Sequence, residues 1–272
     1  MKKLSAILTS LSLLLCLTAC SDEPPPSTES SVPTEPLSKT VYVHTSITQE
    51  FGSTISRTEY LFDQQDHVCE VVVYTNDVET KRHIVECDEN GNYVKWISDS
   101  SVTEYTYDDQ GHSLGVSLYI NDIPVSSTQY TWENGLRTSV TNIMAAQGMT
   151  QRAIMTYDSN GRLLRQDSYT ADTLNSYSIY TTGEDGRITA MTAYQPDGTM
   201  LYTNTYSWEG TTETITSTLP DGTLNQTAVL TYDEHGNLLT QEIHDSDHNL
   251  VSRETHTWKA VEVDPDCPRA SV

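Results

Sequence analysis

Eight histidines are scattered through the chain, and the densest group is His235, His244, His248 and His256. Imidazole is a frequent metal ligand and general base, so this group is where chemistry is sought first. Its context argues for structure instead. His235 and His248 fall at turn positions, and His256 fills a slot that elsewhere holds tyrosine. The stretch Asp245-Ser246-Asp247-His248-Asn249 opens like a calcium loop. Such a loop needs glycine sixth and a bidentate acid twelfth, where this chain has Leu250 and His256. The sequence contains no Gly-x-Ser-x-Gly elbow, no His-Glu-x-x-His, no glycine-rich phosphate loop and no Cys-x-x-Cys pair. The recurring acids are aspartates that open turns, which is a backbone role. No catalytic residue, metal ligand or cofactor is expected.

What remains is aromatic. Tyrosine is abundant (16) and phenylalanine scarce (2), the balance expected of a β protein whose rings pair an apolar body with a polar tip. Tyr130, Trp132, Tyr180, Tyr202, Tyr206, Trp208 and Trp258 stand in recurring slots and are the candidate ligand-binding residues, able to stack on sugar rings or on a protein partner. The competing reading is packing within the fold, where a cross-strand pair contributes ~0.2–1 kcal/mol. A repeated sheet edge is a further binding surface, open to a partner's strand.

The elements that position these rings come from a repeat. Thr231-Tyr232-Asp233-Glu234-His235-Gly236-Asn237-Leu238 repeats Thr156-Tyr157-Asp158-Ser159-Asn160-Gly161-Arg162-Leu163 with 75 residues between equivalent positions. Aligning the chain on aromatic-Asp-x-x-Gly-x-aliphatic puts the aromatic position at Phe62, Cys87, Tyr107, Trp132, Tyr157, Thr182, Trp208, Tyr232 and Trp258. A near-constant spacing of about 25 residues is the mark of a repeat architecture. Asp first and Gly fourth fit a type I turn closed by a left-handed glycine and a G1 bulge. That hairpin loop sets Tyr157 opposite Leu163 and Tyr232 opposite Leu238. Gln195-Pro196-Asp197-Gly198-Thr199 and Leu219-Pro220-Asp221-Gly222-Thr223 mark the other turn of each unit. Two residues before each anchor lies a same-face partner, as Tyr206 does for Trp208. In Met200–Trp208 the alternation assigns Met200, Tyr202, Tyr206 and Trp208 to one face and Thr203, Thr205 and Ser207 to the other. Tyr74, Tyr119, Tyr169 and Tyr194 recur twelve residues after an anchor.

These motifs, best in Tyr157–Leu163 and Tyr232–Leu238 and third in Tyr107–Gly111, resemble the YD-repeat (Rhs) family of bacterial cell-surface proteins. The resemblance covers most of residues 55–260. Residues 62–68 lack the glycine and Trp132-Glu133-Asn134-Gly135-Leu136 is shortened. Long members of that family wind hairpins into a shell able to enclose a toxin. This chain has too few repeats for a shell and no toxin domain after them, so that function is not expected. The expected fold is all-β: an antiparallel meander of about nine 25-residue hairpins in an elongated, curved sheet, as an open spiral, partial barrel or single layer.

The N-terminus supplies an address. Lys2 and Lys3 precede an apolar run, Leu4 to Leu17, which reads as a signal peptide. Leu17-Thr18-Ala19-Cys20 resembles the lipobox of bacterial lipoproteins, and the resemblance implies a diacylglyceryl thioether on Cys20 and cleavage after Ala19. Two or more acyl chains give stable anchoring where one gives only marginal binding. The expected organisation is a signal peptide over 1–19, lipidated Cys20 with a Pro/Ser/Glu tether over 20–40, a β domain over 41–263 and a disordered tail over 264–272. Losing two lysines takes the formal net charge from −23 to −25, which argues against nucleic acid as a partner. The expected setting is the extracytoplasmic face of a membrane, with an unknown protein or a cell-wall or extracellular glycan as partner and a role in binding or adhesion, transport of a glycan, or spacing in the envelope. Cys69 and Cys87 lie on consecutive strands, where a disulfide is compatible with that compartment.

Overall fold

The computed structural model describes residues 38–263, and strands run through nearly all of them. In chain order they are β1 (Lys39–Phe51), β2 (Thr54–Phe62), β3 (Val68–Thr75), β4 (Val78–Cys87), β5 (Tyr93–Ile97), β6 (Ser101–Tyr107), β7 (Ser113–Ile120), β8 (Ile123–Glu133) and β9 (Leu136–Met144). There follow β10 (Met149–Tyr157), β11 (Leu163–Thr170), β12 (Thr173–Thr182), β13 (Ile188–Tyr194), β14 (Met200–Glu209), β15 (Thr212–Thr218), β16 (Leu224–Tyr232), β17 (Leu238–Asp245) and β18 (Leu250–Val263). Each strand pairs antiparallel with its predecessor and successor.

The turns form for the reasons their residues give. In the loop after β10, Gly161 takes φ 80° and its N–H donates to the Asp158 carbonyl. Asp158 Oδ1 accepts the N–H groups of Asn160 and Arg162, at 2.8 and 2.9 Å. Those bonds, Arg162's first, hold the carboxyl below the ordinary carboxylate range. Tyr157 pairs with Leu163 and Tyr232 with Leu238, the expected register. The imperfect copies meet the same demand with other residues. Asp66 and His248 take the left-handed position at φ 61° and 64° where the motif's glycine is missing. The shortened copy becomes a two-residue turn with Asn134 and Gly135 at φ 54° and 76°, the type I′ geometry that suits a tight hairpin.

The expectation of an open sheet is corrected. β1 pairs with β2 on one side and with β18 on the other, so the 18 strands close into a barrel. The β1–β18 register runs from Lys39↔Val263 to Phe51↔Ser252, with a bulge at Thr45. Closure abolishes both free edges, which are otherwise templates for association. β1 precedes the first anchor, Phe62, so repeat counting gave no reason to match it to the last strand.

One face of the sheet turns inward. Tyr60 on β2 and Trp96 on β5 are three strand steps apart, about 14 Å along the sheet, yet their ring centroids lie 6.4 Å apart. Side chains converge like this only on a concave face. The −2 slots Tyr60, Tyr105, Tyr180, Tyr206, Leu230 and His256 lie on that face, with Met191, Ile215 and Ala228 between them. Val71, fully buried opposite Tyr60, and Met191 and Leu230, each 1% exposed, are among its best-buried positions. The outward face is mixed: Leu61, Ile84 and Ile179 stand exposed on it among polar side chains. On β14 and β15 it presents Thr203, Thr205, Ser207, Thr214, Thr216 and Thr218 in cross-strand rows. Elsewhere Arg82 pairs with Glu70 and Glu79, Lys95 with Glu104, and Arg253 with Glu242. A lipid-facing barrel needs an apolar outer band ~25 Å tall, and here threonine rows and ion pairs alternate with the exposed apolar side chains.

Two local expectations change. Met200 pairs with Tyr194 while Tyr202 pairs with Ala193, so a bulge at Leu201 moves Met200 to the outward face, where Thr203 Oγ1 reaches its sulfur. No disulfide joins Cys69 and Cys87. Cys69 sits in the β2–β3 bulge and points outward, its thiol donating to the Leu61 carbonyl. Cys87 packs inward against Val68, Val71, Val85 and Tyr93. The bulge places the two thiols on opposite faces of the sheet.

Every second turn lies at the same rim of the barrel. One rim carries the turns after the even-numbered strands, including the Asp-x-x-Gly loops, together with the described chain's entry at Lys39 and exit beyond Val263. The other carries the nine turns after the odd-numbered strands.

Candidate functional site

The candidate aromatic residues Tyr130, Trp132, Tyr180, Tyr202, Tyr206, Trp208 and Trp258 all project to the inward face, as their two-residue spacing requires. Their contacts are internal. The Trp132 indole N–H donates to the Ser113 carbonyl on the adjacent strand at 2.8 Å, and His112 stacks on the ring at 4.7 Å. Trp258 repeats this with the Leu238 carbonyl at 2.7 Å and His44 at 3.6 Å. Tyr157 donates to the Arg137 carbonyl at 2.8 Å from the equivalent slot. The Arg187 guanidinium lies 4.3 Å from the centre of the Trp208 ring, and Tyr232 stacks on that ring at 5.4 Å. The anchor thus closes the start of the preceding strand. His112 and Arg187, each the residue after a turn glycine, cover the next unit's tryptophan. Tyr180 is 5% exposed, and burial pushes its hydroxyl pKa upward.

Two clusters of titratable groups occupy the inward face. In the first, Glu213 is buried beside Trp208, its cross-strand partner. The Tyr232 hydroxyl donates to Glu213 Oε2 at 3.1 Å. Burial pushes this carboxyl up, opposed by the Tyr232 hydrogen bond and the charge of Arg187.

The second cluster lies where the barrel closes. His44 on β1 faces Trp258 on β18, and Ile47 faces His256. His44 Nε2 lies 3.1 Å from His256 Nδ1, a distance that places one proton between them. His256 Nε2 lies 2.9 Å from Glu254 Oε1. The Gln49 amide donates to Glu254 Oε2 at 2.6 Å. Tyr60 stacks on the other neighbour side of His44 at 5.9 Å, completing an aromatic surround. Burial, then the neighbouring His256, lowers the His44 pKa to about 4, with Glu254 acting in the opposite sense. The contact with His256 and the bond from Gln49 hold the Glu254 carboxyl below its ordinary range. The arrangement lines up a carboxylate and two imidazoles across the seam between two strands.

Sequence reading missed this group. The histidines it weighed are dispersed: His235 stacks on Tyr42 in a turn, His248 holds a left-handed turn position, and His244 lies near Glu242. His256 instead finds His44, 212 residues away. One signal was available. Among the nine −2 slots, only that of the last unit replaces tyrosine or an aliphatic residue by a titratable side chain. Among the described residues, no three potential metal ligands converge. Cys20 lies outside the described residues.

No protein-family model matches the chain, and no curated protein matches it. Solved structures with some likeness include a TcdB2-TccC3 chain lacking its hypervariable C-terminal region, at 11% identity and TM-score 0.39, with 70% of this chain and 12% of that chain covered. Others are porin-like proteins from Bacteroides uniformis (12% identity, TM-score 0.30, 84% and 99% covered) and Bacteroides vulgatus (10%, 0.30, 79% and 98%).

Proposed function

We propose that this chain is a lipid-anchored, extracytoplasmic, non-catalytic binding protein whose barrel stands in water and captures a polypeptide partner. The observation that carries the reading is the rim opposite the described chain ends. There Phe51, Val78, Ile123 and Leu250 are 54%, 64%, 65% and 45% exposed at the turns. Asp77, Asp122, Asp197, Asp221 and Asp247 share that rim, and its nine turns contain no lysine or arginine. Apolar side chains interleaved with acids, of which Asp77 has Arg57 3.9 Å away, suit a segment carrying both apolar and basic residues. The threonine rows and ion pairs of the outer wall support an aqueous setting, and Leu17–Cys20 supports anchoring through Cys20. The described chain enters at Lys39 on the other rim. Stacking on glycans is disfavoured because the tryptophan rings and their N–H groups serve contacts within the barrel.

The test has two arms. Membrane fractionation and acyl labelling of the intact chain and of Cys20→Ala read the anchor; an unlabelled wild type, or a Cys20→Ala protein still held in the membrane, removes that part. Photo-crosslinkers placed at positions 51, 78 and 123 read the docking rim, with 160 and 234 on the other rim as controls. A saturable polypeptide adduct from the first set alone supports the reading. Adducts from both sets equally, or saturable co-sedimentation with an insoluble glycan in place of any adduct, overturn it.

A further inference from the structure

We propose that the β1–β18 seam is an acid-operated latch, in which a second proton on the His44–His256 pair releases β1 from β18 and opens the barrel wall. The seam differs from every other neighbouring pair in covalent terms. The other pairs are joined by short turns, whereas β1 and β18 are linked only through the rest of the barrel. Separation there breaks hydrogen bonds without stretching a loop.

Side chains do at the seam what turns do elsewhere. Ser38 and Thr40 donate to Glu262, at 2.7 and 2.6 Å. Thr45 and Ser46 share the Thr257 hydroxyl at 2.6 and 2.9 Å. Gln49 binds Glu254, and His44 meets His256. Two of the acceptors are carboxylates and one contact is a histidine pair, so the side-chain part of the latch is titratable.

The proton count sets the response. With one proton between them, His256 Nδ1 and His44 Nε2 form a donor–acceptor pair. A second proton fills the accepting lone pair, makes that ring a cation and sets N–H against N–H where a hydrogen bond had been. The groups facing His44 do little to relieve this. From β18 they are His256, Glu254 and Trp258; from β2, Tyr60; and from its own strand, neutral Gln49. Glu254 is the one carboxylate among them, and it contacts His256 Nε2 on the side away from His44. The low pKa of His44 agrees with this geometry: the closed seam refuses the second proton until the medium is acidic. Opening exposes two strand edges and the aromatic inward face.

Hydrogen exchange on the intact chain tests the latch. Exchange in 46–51 and 252–257 is compared with exchange in 151–156 and 165–170, the turn-joined β10–β11 pair, from about pH 7 to about pH 4.5 after correction for intrinsic rates. Between the unfolded and folded His44 values the opening equilibrium shifts by up to about tenfold per pH unit, so seam protection is expected to fall first and alone. His44→Gln keeps an acceptor for His256 without a second titration, and should retain seam protection at the pH where the wild type loses it. Should that variant fold poorly, the wild-type comparison still decides. Simultaneous loss in both pairs, unchanged seam protection, or a His44→Gln seam opening at the wild-type pH each overturns the proposal.

Discussion

The β10–β11 hairpin and the β1–β18 seam are both antiparallel pairs, but they are held by different means. In the hairpin, five residues of turn do the holding: Asp158 captures two backbone N–H groups and Gly161 supplies the left-handed step. Register follows from local chemistry. At the seam no turn exists, and register comes from a longer run of pairing, a bulge at Thr45 and side chains that recognise one another across more than 200 residues. A covalently closed pair needs only a good turn. An uncovalent closure needs specificity, and here that specificity is built from ionisable groups, which makes it conditional.

The largest expected effect comes from removing one half of the seam. Deleting 38–51 leaves β2 and β18 with unpaired edges, and the expected outcome is loss of cooperative unfolding together with self-association, read by calorimetry and sedimentation. A monomeric, cooperatively folding deletion product would show that the hairpins suffice without closure.

Acid should separate the two regions. For His44 the unfolded value is the ordinary 6.5 and the folded value about 4. In that window the unfolded chain binds a proton that the folded chain refuses. Stability from the neutral pair is therefore full above 6.5 and is lost as pH falls towards 4. Asp158 and Asp245 lie below the ordinary carboxylate value, chiefly through the backbone N–H groups of Arg162 and Asn249. Their contribution is present above pH ~3.8 and lost only as pH falls through their lowered folded values. An acid titration followed by near-ultraviolet circular dichroism should show two stages, with His44→Gln flattening the first and leaving the second.

Smaller changes probe the turns singly. Asp233→Ala removes the acceptor for the His235 and Asn237 N–H groups and for the Asn237 amide, and should cost about 1–2 kcal/mol in denaturant unfolding. Gly161→Ala forces a Cβ into a left-handed conformation and should cost about 1–2 kcal/mol. The smallest effect has the opposite sign. His248→Gly restores the residue that the left-handed position prefers and should stabilise the protein by about 0.5–1 kcal/mol, whereas Asp66→Gly also removes the Lys259 ion pair and should gain less. No gain from either would mean that the imperfect repeats have adapted to their substitutes.

Much of the fold was legible because it is local. The nine anchors, the Tyr157–Leu163 and Tyr232–Leu238 register and the placement of the aromatic slots on one face all follow from turn residues and a two-residue alternation. Where a bulge interrupts that alternation, face assignment failed, as Met200 shows. The roles of Trp132 and Trp258 were open because spacing sets a direction and says nothing of what the indole meets. Only the folded sheet brings the Ser113 and Leu238 carbonyls under their N–H groups.

The amino-acid sequence by itself determined a meander of hairpins, since each turn is a few-residue problem solved by Asp, Gly or a left-handed substitute. Tertiary structure decided that the meander closes and that His44 meets His256. Strand pairing across the whole chain depends on the summed twist and curvature of eighteen strands. Small local angles accumulate over that distance into either a gap or a seam, and no short stretch of residues carries the sum.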